Sequence, residues 1–324
     1  MKAIFSTGYG SPDVLELREV DKPEPGKKEI LIKVRAASVT AADTMMRKGT
    51  PFYGRLFLGL TKPSHPIPGT GFAGVVEEVG AGVDGFEKGQ RVFGETGVNF
   101  GANAEYLCLP EDALVMTLPS NLTEEEAAPI CDGALTSYNF LKAIGNIQSG
   151  QKVLINGASG SLGSAAVQLA HHFGAEVTGV CGPSNLDWVR SLGADTVIDY
   201  SREDFTRTGQ TYDLIYDTVG KSSYPNCKGA LSEKGAYLSP VLGMPLLFQM
   251  LWTSKFGSKK AKFSATGLKP VPELRILLQE LLEFFEAGKI KTEIDRRYPL
   301  DQAAEAHRYI DTGHKRGNVV LVME

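Results

Sequence analysis

Lys152-Val-Leu-Ile-Asn156-Gly157-Ala158-Ser159-Gly160-Ser161-Leu162-Gly163-Ser164-Ala165-Ala166-Val167-Gln168-Leu169-Ala170 is the stretch on which the reading of this chain turns. Residues 152–155 read as a short buried strand. Residues 161–173 read as a helix, with Leu162, Ala166, Leu169 and Ala170 on one apolar face. Between them lies Gly157-x-x-Gly160-x-x-Gly163. Glycines in that strand–turn–helix setting allow a tight turn, close approach of the backbone to a diphosphate, and close packing of helix on strand. The start of the helix then presents N–H groups and the positive end of its dipole to the phosphates. Gly157, Ser159, Gly160, Ser161, Leu162 and Gly163 are therefore candidate cofactor-binding residues. A structural Gly-rich turn is the alternative, and the second strand expected at 176–181 counts against it.

Around this stretch, strands are expected near 153–155, 176–181, 196–198, 214–217 and 236–240, with helical segments such as 184–192 between them. That alternation argues a doubly wound parallel sheet. Residues 1–120 differ: they are β-rich and punctuated by Gly and Pro. Glu29-Ile-Leu-Ile-Lys-Val-Arg alternates as a half-exposed strand does, and Phe72-Ala-Gly-Val-Val-Glu-Glu-Val-Gly and Gln90-Arg-Val-Phe-Gly follow, divided by Ala81-Gly-Val-Asp-Gly. An irregular barrel or sandwich is expected there. Thr123 and Glu126 have capping-box spacing, which opens a helix and sets a boundary. A long helix is expected over 272–287, stopped by Gly288, before a final strand at 318–323.

The 324 residues are 42% hydrophobic and 22% charged, with net charge −4, which suits a globular chain of two domains or one large one and carries no basic nucleic-acid footprint. The start, Met1-Lys-Ala-Ile-Phe-Ser, has no secretory pattern, and the apolar stretch 240–252 is too short to span a bilayer. Four dispersed cysteines, at 108, 131, 181 and 227, suit reduced thiols in the cytoplasm.

Taken together, Pro23-Glu-Pro-Gly-Lys-Lys-Glu-Ile-Leu-Ile-Lys-Val, Ile67-Pro-Gly, Phe72-Ala-Gly-Val-Val, Gly157-Ala-Ser-Gly-Ser-Leu-Gly, Arg190-Ser-Leu-Gly-Ala-Asp, Tyr212-Asp-Leu-Ile-Tyr-Asp-Thr-Val-Gly, Tyr298-Pro-Leu and Ala306-His resemble a medium-chain dehydrogenase/reductase of the zinc-independent quinone oxidoreductase (zeta-crystallin-like) branch. The resemblance implies a GroES-like catalytic domain over 1–122, a Rossmann NADP-binding domain over 123–264, and a return to the catalytic domain over 265–324. It also implies a cleft that binds cofactor and substrate, and a homodimer.

Zinc-dependent relatives carry a Cys in the segment matching Ser38-Val-Thr40-Ala-Ala-Asp43 and a His-Glu pair after the Pro-Gly. Here Thr40 and Thr70-Gly71 stand in those places, and Cys131 lies near the third. A catalytic zinc takes about three protein ligands, and adjacent His171 and His172 diverge on a helix, so no metal is expected. Without that Lewis acid, reduction of a quinone or enone is more natural chemistry than alcohol oxidation.

No carboxylate stands between Glu176 and Asp187, where an NAD site places Asp or Glu on the ribose 2′-hydroxyl. NADPH is therefore the expected cofactor. Ser184 and Asn185 are its candidate 2′-phosphate donors, and Tyr200 matches a family tyrosine at this end. Asn185 stands near where many relatives place a Lys or Arg, and Arg202 is either that missing cation or a solvated loop charge. Thr136, Thr218, Val219, Leu242 and Gly243 match positions lining the family's cofactor channel, with Asn318 a further contact from the last strand. Ordinary packing at strand ends is the alternative for Thr218 and Leu242.

Tyr53 is the first candidate to hydrogen-bond a developing oxyanion, against an exposed aromatic on a mobile loop. Thr40 stands where relatives often have Asn, and Asp43 reads as structural. Residues 245–262, apolar and then Lys-rich, read as a dimer or interdomain helix, with a substrate lid or membrane-surface contact as alternatives. The expected activity is hydride transfer from NADPH to a quinone or enone. Its rivals are an alcohol/aldehyde dehydrogenase, a non-enzymatic NADPH-binding structural or regulatory protein, and a membrane-associated scaffold.

Overall fold

Two sheets of different construction, each with its own apolar core, organise the chain. The computed structural model describes residues 1–324, the side chain of Phe57 excepted. In chain order come β1 (Lys2–Ser6), β2 (Leu15–Glu19), β3 (Glu29–Val39), α1 (Ala41–Lys48), β4 (Gly71–Val79), β5 (Arg91–Glu95), β6 (Tyr106–Pro110) and β7 (Leu114–Thr117). Next are β8 (Lys152–Asn156), α2 (Ser161–His172), β9 (Glu176–Cys181), α3 (Leu186–Ser191), β10 (Thr196–Asp199), β11 (Tyr212–Asp217), β12 (Leu231–Ser239), α4 (Met244–Lys255) and β13 (Lys260–Phe263). The chain ends with α5 (Val271–Glu286), β14 (Ile294–Pro299), α6 (Ala303–Asp311) and β15 (Asn318–Val322).

The first unit comprises 1–132, 270–278 and 292–324, and the second 133–269 and 279–291. In the first, the sheet runs β14-β15-β3-β4-β5-β7, with β6 also on β3 and only the β14–β15 pair parallel. The strand expected from Glu29 runs on to Val39, because its two halves serve different partners. Glu29 to Lys33 pair with β6, and Ala36 to Val39 with β15. Register shifts in the β3–β4 pair bend the sheet around a core that includes Ile32, Phe72, Val92 and Leu321.

In the second unit the order is β10-β9-β8-β11-β12-β13, every pair parallel. Counted from β8 this is 3-2-1-4-5-6, the doubly wound dinucleotide order. Buried on both faces, its strands are nearly continuous apolar runs, Val153-Leu-Ile among them. The order reverses between β8 and β11, so the crevice at their carboxyl ends is where such sheets take ligands.

The expected capping box is present: the Thr123 hydroxyl accepts from Glu126 N, and the Glu126 carboxylate accepts from Thr123 N at 2.9 Å. The α-helix it opens stops at Ala127, and wider π turns follow at Ile130–Leu135 and Asn139–Ile144, flanking Thr136–Tyr138. Local sequence carries no signal for such winding, which recurs at functional sites. The lysines after α4 are not a solvated basic face. Lys259, Lys260 and Lys262 direct their ammonium groups at backbone carbonyls of Leu231, Thr253 and Ile144. Among the described residues, no helix is long and apolar enough to cross a membrane.

Candidate functional site

Gly157 leaves β8 at φ +82°, and a Cβ there would stand 2.6 Å from Thr218 Oγ1 and 2.7 Å from Val219 Cγ1. Thr218 in turn donates to Asn156 O at 2.8 Å, so the ends of β8 and β11 close over the turn. Gly163 is more constrained still, since a Cβ would meet Gly157 O at 2.0 Å. Gly160 is the N-cap of α2 and carries no capping side chain, leaving the first-turn N–H groups to the crevice. Ser159, Gly160 and Leu162 are partly exposed around this turn, and Ser161 is buried. Ser137 Oγ donates to Leu162 O at 2.8 Å and thereby holds Thr136 beside the start of α2.

Below the turn, Asp217 is fully buried and fully used. It accepts from Asn156 Nδ2, Gly220 N, Ser222 N and Tyr237 Oη. Sequence reading missed this network, whose only local sign is an Asp inside an apolar run. It fixes the Thr218–Gly220 turn, and Val241 packs against Gly220. Leu242 and Gly243 follow directly; Leu242 is 37% exposed and Gly243 caps α4.

At the far end of β9, Cys181 leads into the turn Pro183–Asn185. Tyr200, 61% exposed, stands over Gly182: its hydroxyl would be 3.3 Å from a Cβ there. Ser184 is exposed and Asn185 half-buried beside it. Pairing of Asp199 with Cys181 brings these segments to one corner. Arg202 is 85% exposed and lies 3.5 Å from Asp199.

The remaining candidates belong to the first unit. Asn318 stands at the head of β15 and donates to Glu293 O at 3.0 Å. Tyr53 is 51% exposed in the turn Phe52–Gly54. That turn is pinned by Arg55, which donates to Gly49 O and lies over the rings of Tyr9 and Phe52. Thr40 caps α1: its Oγ1 accepts from Asp43 N at 3.1 Å and donates to Asp43 Oδ2 at 2.7 Å. Asp43 Oδ2 also accepts from Thr40 N at 2.7 Å, which bears out a structural part for Asp43.

Asp43 is not alone. Asp132 accepts from the Ser38 and Thr70 hydroxyls, and Glu95 is close enough to interact with both acids. Burial, then Asp132, push the Asp43 carboxyl up to about 7. Burial, Asp132 and Asp43 push Glu95 up to about 8. Asp132 is itself raised by burial, against the pull of its two hydroxyl donors. Burial lowers Lys315 to about 8 despite the facing Asp295 and Asp132. Asp132, Glu95 and Lys315 went unnoticed in the sequence because they lie on separate segments.

A family model described as the alcohol dehydrogenase GroES-like domain matches residues 26–120, and one described as zinc-binding dehydrogenase matches 192–321. The chain is 32% identical to the quinone oxidoreductase of Pseudomonas aeruginosa, over 99% of each chain. It is 32% identical to the 2-methylene-furan-3-one reductase of Solanum lycopersicum, over 99% of this chain and 79% of that one. The chain belongs to the medium-chain dehydrogenase/reductases, in their zeta-crystallin-like quinone oxidoreductase branch. The Escherichia coli quinone oxidoreductase solved with NADPH superposes with a TM-score of 0.86 at 26% identity, covering all of both chains.

Within this medium-chain dehydrogenase/reductase the glycine turn fits a dinucleotide, since its close packing leaves no room for a Cβ at Gly157 or Gly163 and its helix start is uncapped by any side chain. A zinc is less well served. Thr40 and Thr70 commit their hydroxyls to Asp43 and Asp132, and Cys131 is buried with its thiol well above the usual range. No group of three His, Cys, Asp or Glu able to hold a metal ion occurs among the described residues.

Proposed function

We propose that this chain is an NADPH-dependent reductase that completes hydride transfer to quinones or α,β-unsaturated carbonyls without zinc. The observation that carries this reading is the glycine turn at the switch point of the 3-2-1-4-5-6 sheet, with no carboxylate at the end of β9. Relatives named as a quinone oxidoreductase and a furanone reductase, and a neighbour solved with NADPH, support it. The diphosphate lies on Gly157 to Gly163, the 2′-phosphate on Ser184, Asn185 and Tyr200, and the nicotinamide half on Thr136, Thr218, Val219, Leu242, Gly243 and Asn318. When bound, NADPH supplies the hydride. The chain orients the substrate, with Tyr53 and Thr40 as its polar contacts. Residues 1–122 and 265–324 act as the catalytic domain and 123–264 as the cofactor domain.

The chain works as a homodimer in the cytoplasm. Supporting the dimer, α4 is apolar on its outer face, with Met244, Phe248, Leu251 and Trp252 each at least 60% exposed. It lies beside β13, the edge of its sheet. A helix apolar all round is ordinarily covered, and an open strand edge invites pairing with a second copy. Four free thiols suit a reducing compartment.

The test follows NADPH absorbance with a benzoquinone, a naphthoquinone, an enone and a simple aldehyde, with NADH and a chelator as controls. Rapid oxidation with quinone or enone, preferring NADPH and indifferent to chelator, is expected. Turnover of the aldehyde alone, abolished by chelator, would replace the reading with a zinc dehydrogenase.

A further inference from the structure

Reduction of an enone needs a proton as well as a hydride, and the first unit holds a short chain of hydrogen bonds suited to deliver one. Resting on the reductase reading above, we propose that Asp43, acting through the Thr40 hydroxyl, supplies that proton. We also infer that the cavity beneath α1 is where Asp43 is recharged. Thr40 is partly exposed, whereas Asp43 is 3% exposed, so Thr40 stands between the surface and a buried acid. Oδ2 is the oxygen shared with Thr40, at 2.7 Å from both its N and its Oγ1. Oδ1 is buried and has no hydrogen-bond partner among the described residues, as is true of Arg47 Nε.

Asp43 and Arg47 both line a cavity of about 40 Å³, with Tyr9, His65, Gly69 and Phe100 among its other walls. A water fits such a space, and two orphaned buried groups are what an ordered water ordinarily satisfies. His65 is exposed, so the cavity reaches solvent. The carboxyl thus has one oxygen towards water and the other on the hydroxyl.

The protons balance. Hydride addition to the β-carbon leaves an enolate. The Thr40 Oγ1–H bond breaks as its proton goes to the enolate oxygen, and the resulting enol becomes the saturated carbonyl. The Asp43 Oδ2–H bond breaks as Oγ1–H re-forms. The Asp43 carboxylate then takes a proton from the cavity water on Oδ1, and rotation about Cβ–Cγ carries the new O–H to the Thr40 side, so each turnover consumes one hydride and one solvent proton. Thr40 touches the substrate; Asp43 acts behind it as a positioning residue.

Charged groups around Asp43 favour its holding a proton at neutral pH. Asp132 and Glu95 repel a carboxylate there. Arg47, one turn along α1, has its positive charge engaged by Asp311 of α6 at 2.5 Å and by Gly10 O at 2.5 Å. His65 faces the same cavity, His307 of α6 is held neutral by burial beside Arg47, and Lys315 faces Asp132 and Asp295.

The experiment compares the full-length wild type with Asp43→Asn, Thr40→Val and Thr40→Ser on an enone, across the pH range around 7. In Asp43→Asn the carboxamide oxygen still accepts from Thr40 N and Oγ1, so the cap survives while the acid is lost. Enone kcat of the wild type is expected to fall as pH rises through the Asp43 transition. Asp43→Asn and Thr40→Val should each lose at least about 30-fold in kcat, with KM little changed and the pH dependence gone. Thr40→Ser should restore most of the rate and the profile. Independently of turnover, difference infrared spectra of the wild type should show a protonated carboxyl band that titrates away near pH 7 and is missing from Asp43→Asn.

An Asp43→Asn enzyme that keeps the wild-type pH profile, or a wild type without the band, overturns the relay and leaves the reductase reading standing. A wild type that oxidises NADPH with no enone or quinone overturns the reductase reading, and the relay with it.

Discussion

The two candidate regions are built on opposite principles. Around Gly157 to Gly163 the backbone does the work: positive φ, close approach and helix start leave the side chains little to decide. Around Thr40 the side chains do it, with three acids and a lysine drawn together from a helix, a strand, a π turn and a loop. A backbone site is rigid and indifferent to pH. A buried carboxyl site stores protons, and its properties move with pH.

That contrast breaks first at Gly163. A Cβ would lie 2.0 Å from Gly157 O and 2.7 Å from Ala158 Cα, both backbone atoms that yield only by moving the turn. Gly163→Ala is expected to weaken NADPH binding, read by fluorescence titration, by about 100-fold or more, or about 3 kcal/mol. Binding within about threefold of wild type would mean that the turn is plastic and its backbone not the determinant.

The same contrast explains what the sequence disclosed. β8, the turn, α2 and β9 were legible, because local pattern and local conformation coincide there. The long helix expected over 272–287 also stands, as Val271–Glu286. Asp43 was legible as a structural residue, though not the cap it forms with Thr40 at the start of α1. Their neighbours were not: Ser38, Thr70, Glu95, Asp132 and Lys315 meet only when β3, β4, β5 and the chain before β15 have folded. The π turns on either side of Thr136 escaped for a related reason, since tertiary packing and not residue preference selects that winding. Asp217 was hidden in a run of strand residues whose burial says nothing about its four donors.

Stability against pH sharpens the comparison next. Asp43 and Glu95 have folded values of about 7 and about 8, above their ordinary 3.8 and 4.5. Between those limits the folded chain holds protons that the unfolded chain releases, so stability falls as pH rises from about 4 to about 8. Lys315, lowered from 10.5 to about 8, acts in the next window: stability recovers as pH climbs from about 8 to 10.5. His307, lowered from 6.5 to about 3, adds stability as pH rises between those values and shapes the acid side. The melting temperature should therefore decline by several degrees between about pH 6.5 and 8. Asp43→Asn with Glu95→Gln should flatten that decline. A wild-type melting curve that climbs over this range would contradict the buried-acid description of the first unit.

Tyr237 probes the second unit without touching its glycines. Its hydroxyl donates to Asp217 at 2.8 Å, one of the bonds that fix the Thr218–Gly220 turn. Tyr237→Phe should cost about 1–3 kcal/mol in urea unfolding, as a buried carboxylate loses one donor. Because three other donors remain, NADPH affinity should change little. A large loss of affinity with stability intact would show that cofactor binding depends on this side-chain network as much as on the glycine backbone, and would erase the difference between the two regions.

The smallest effect is expected at Arg202, where the two readings of that residue make opposite forecasts. Its side chain is 85% exposed, and its pairing with Asp199 at 3.5 Å is the kind of surface contact worth about 0–1 kcal/mol. Arg202→Ala should therefore leave the melting temperature almost unchanged. If the guanidinium serves the 2′-phosphate beside Tyr200, Ser184 and Asn185, KM for NADPH should rise by about 3- to 10-fold while KM for NADH stays put, and added salt should mimic the change. If it is a solvated loop charge, both constants stay within error. In that case the preference for NADPH rests on neutral hydrogen-bond donors and on the missing carboxylate after β9, a site again defined more by what the backbone leaves open than by a charge it provides.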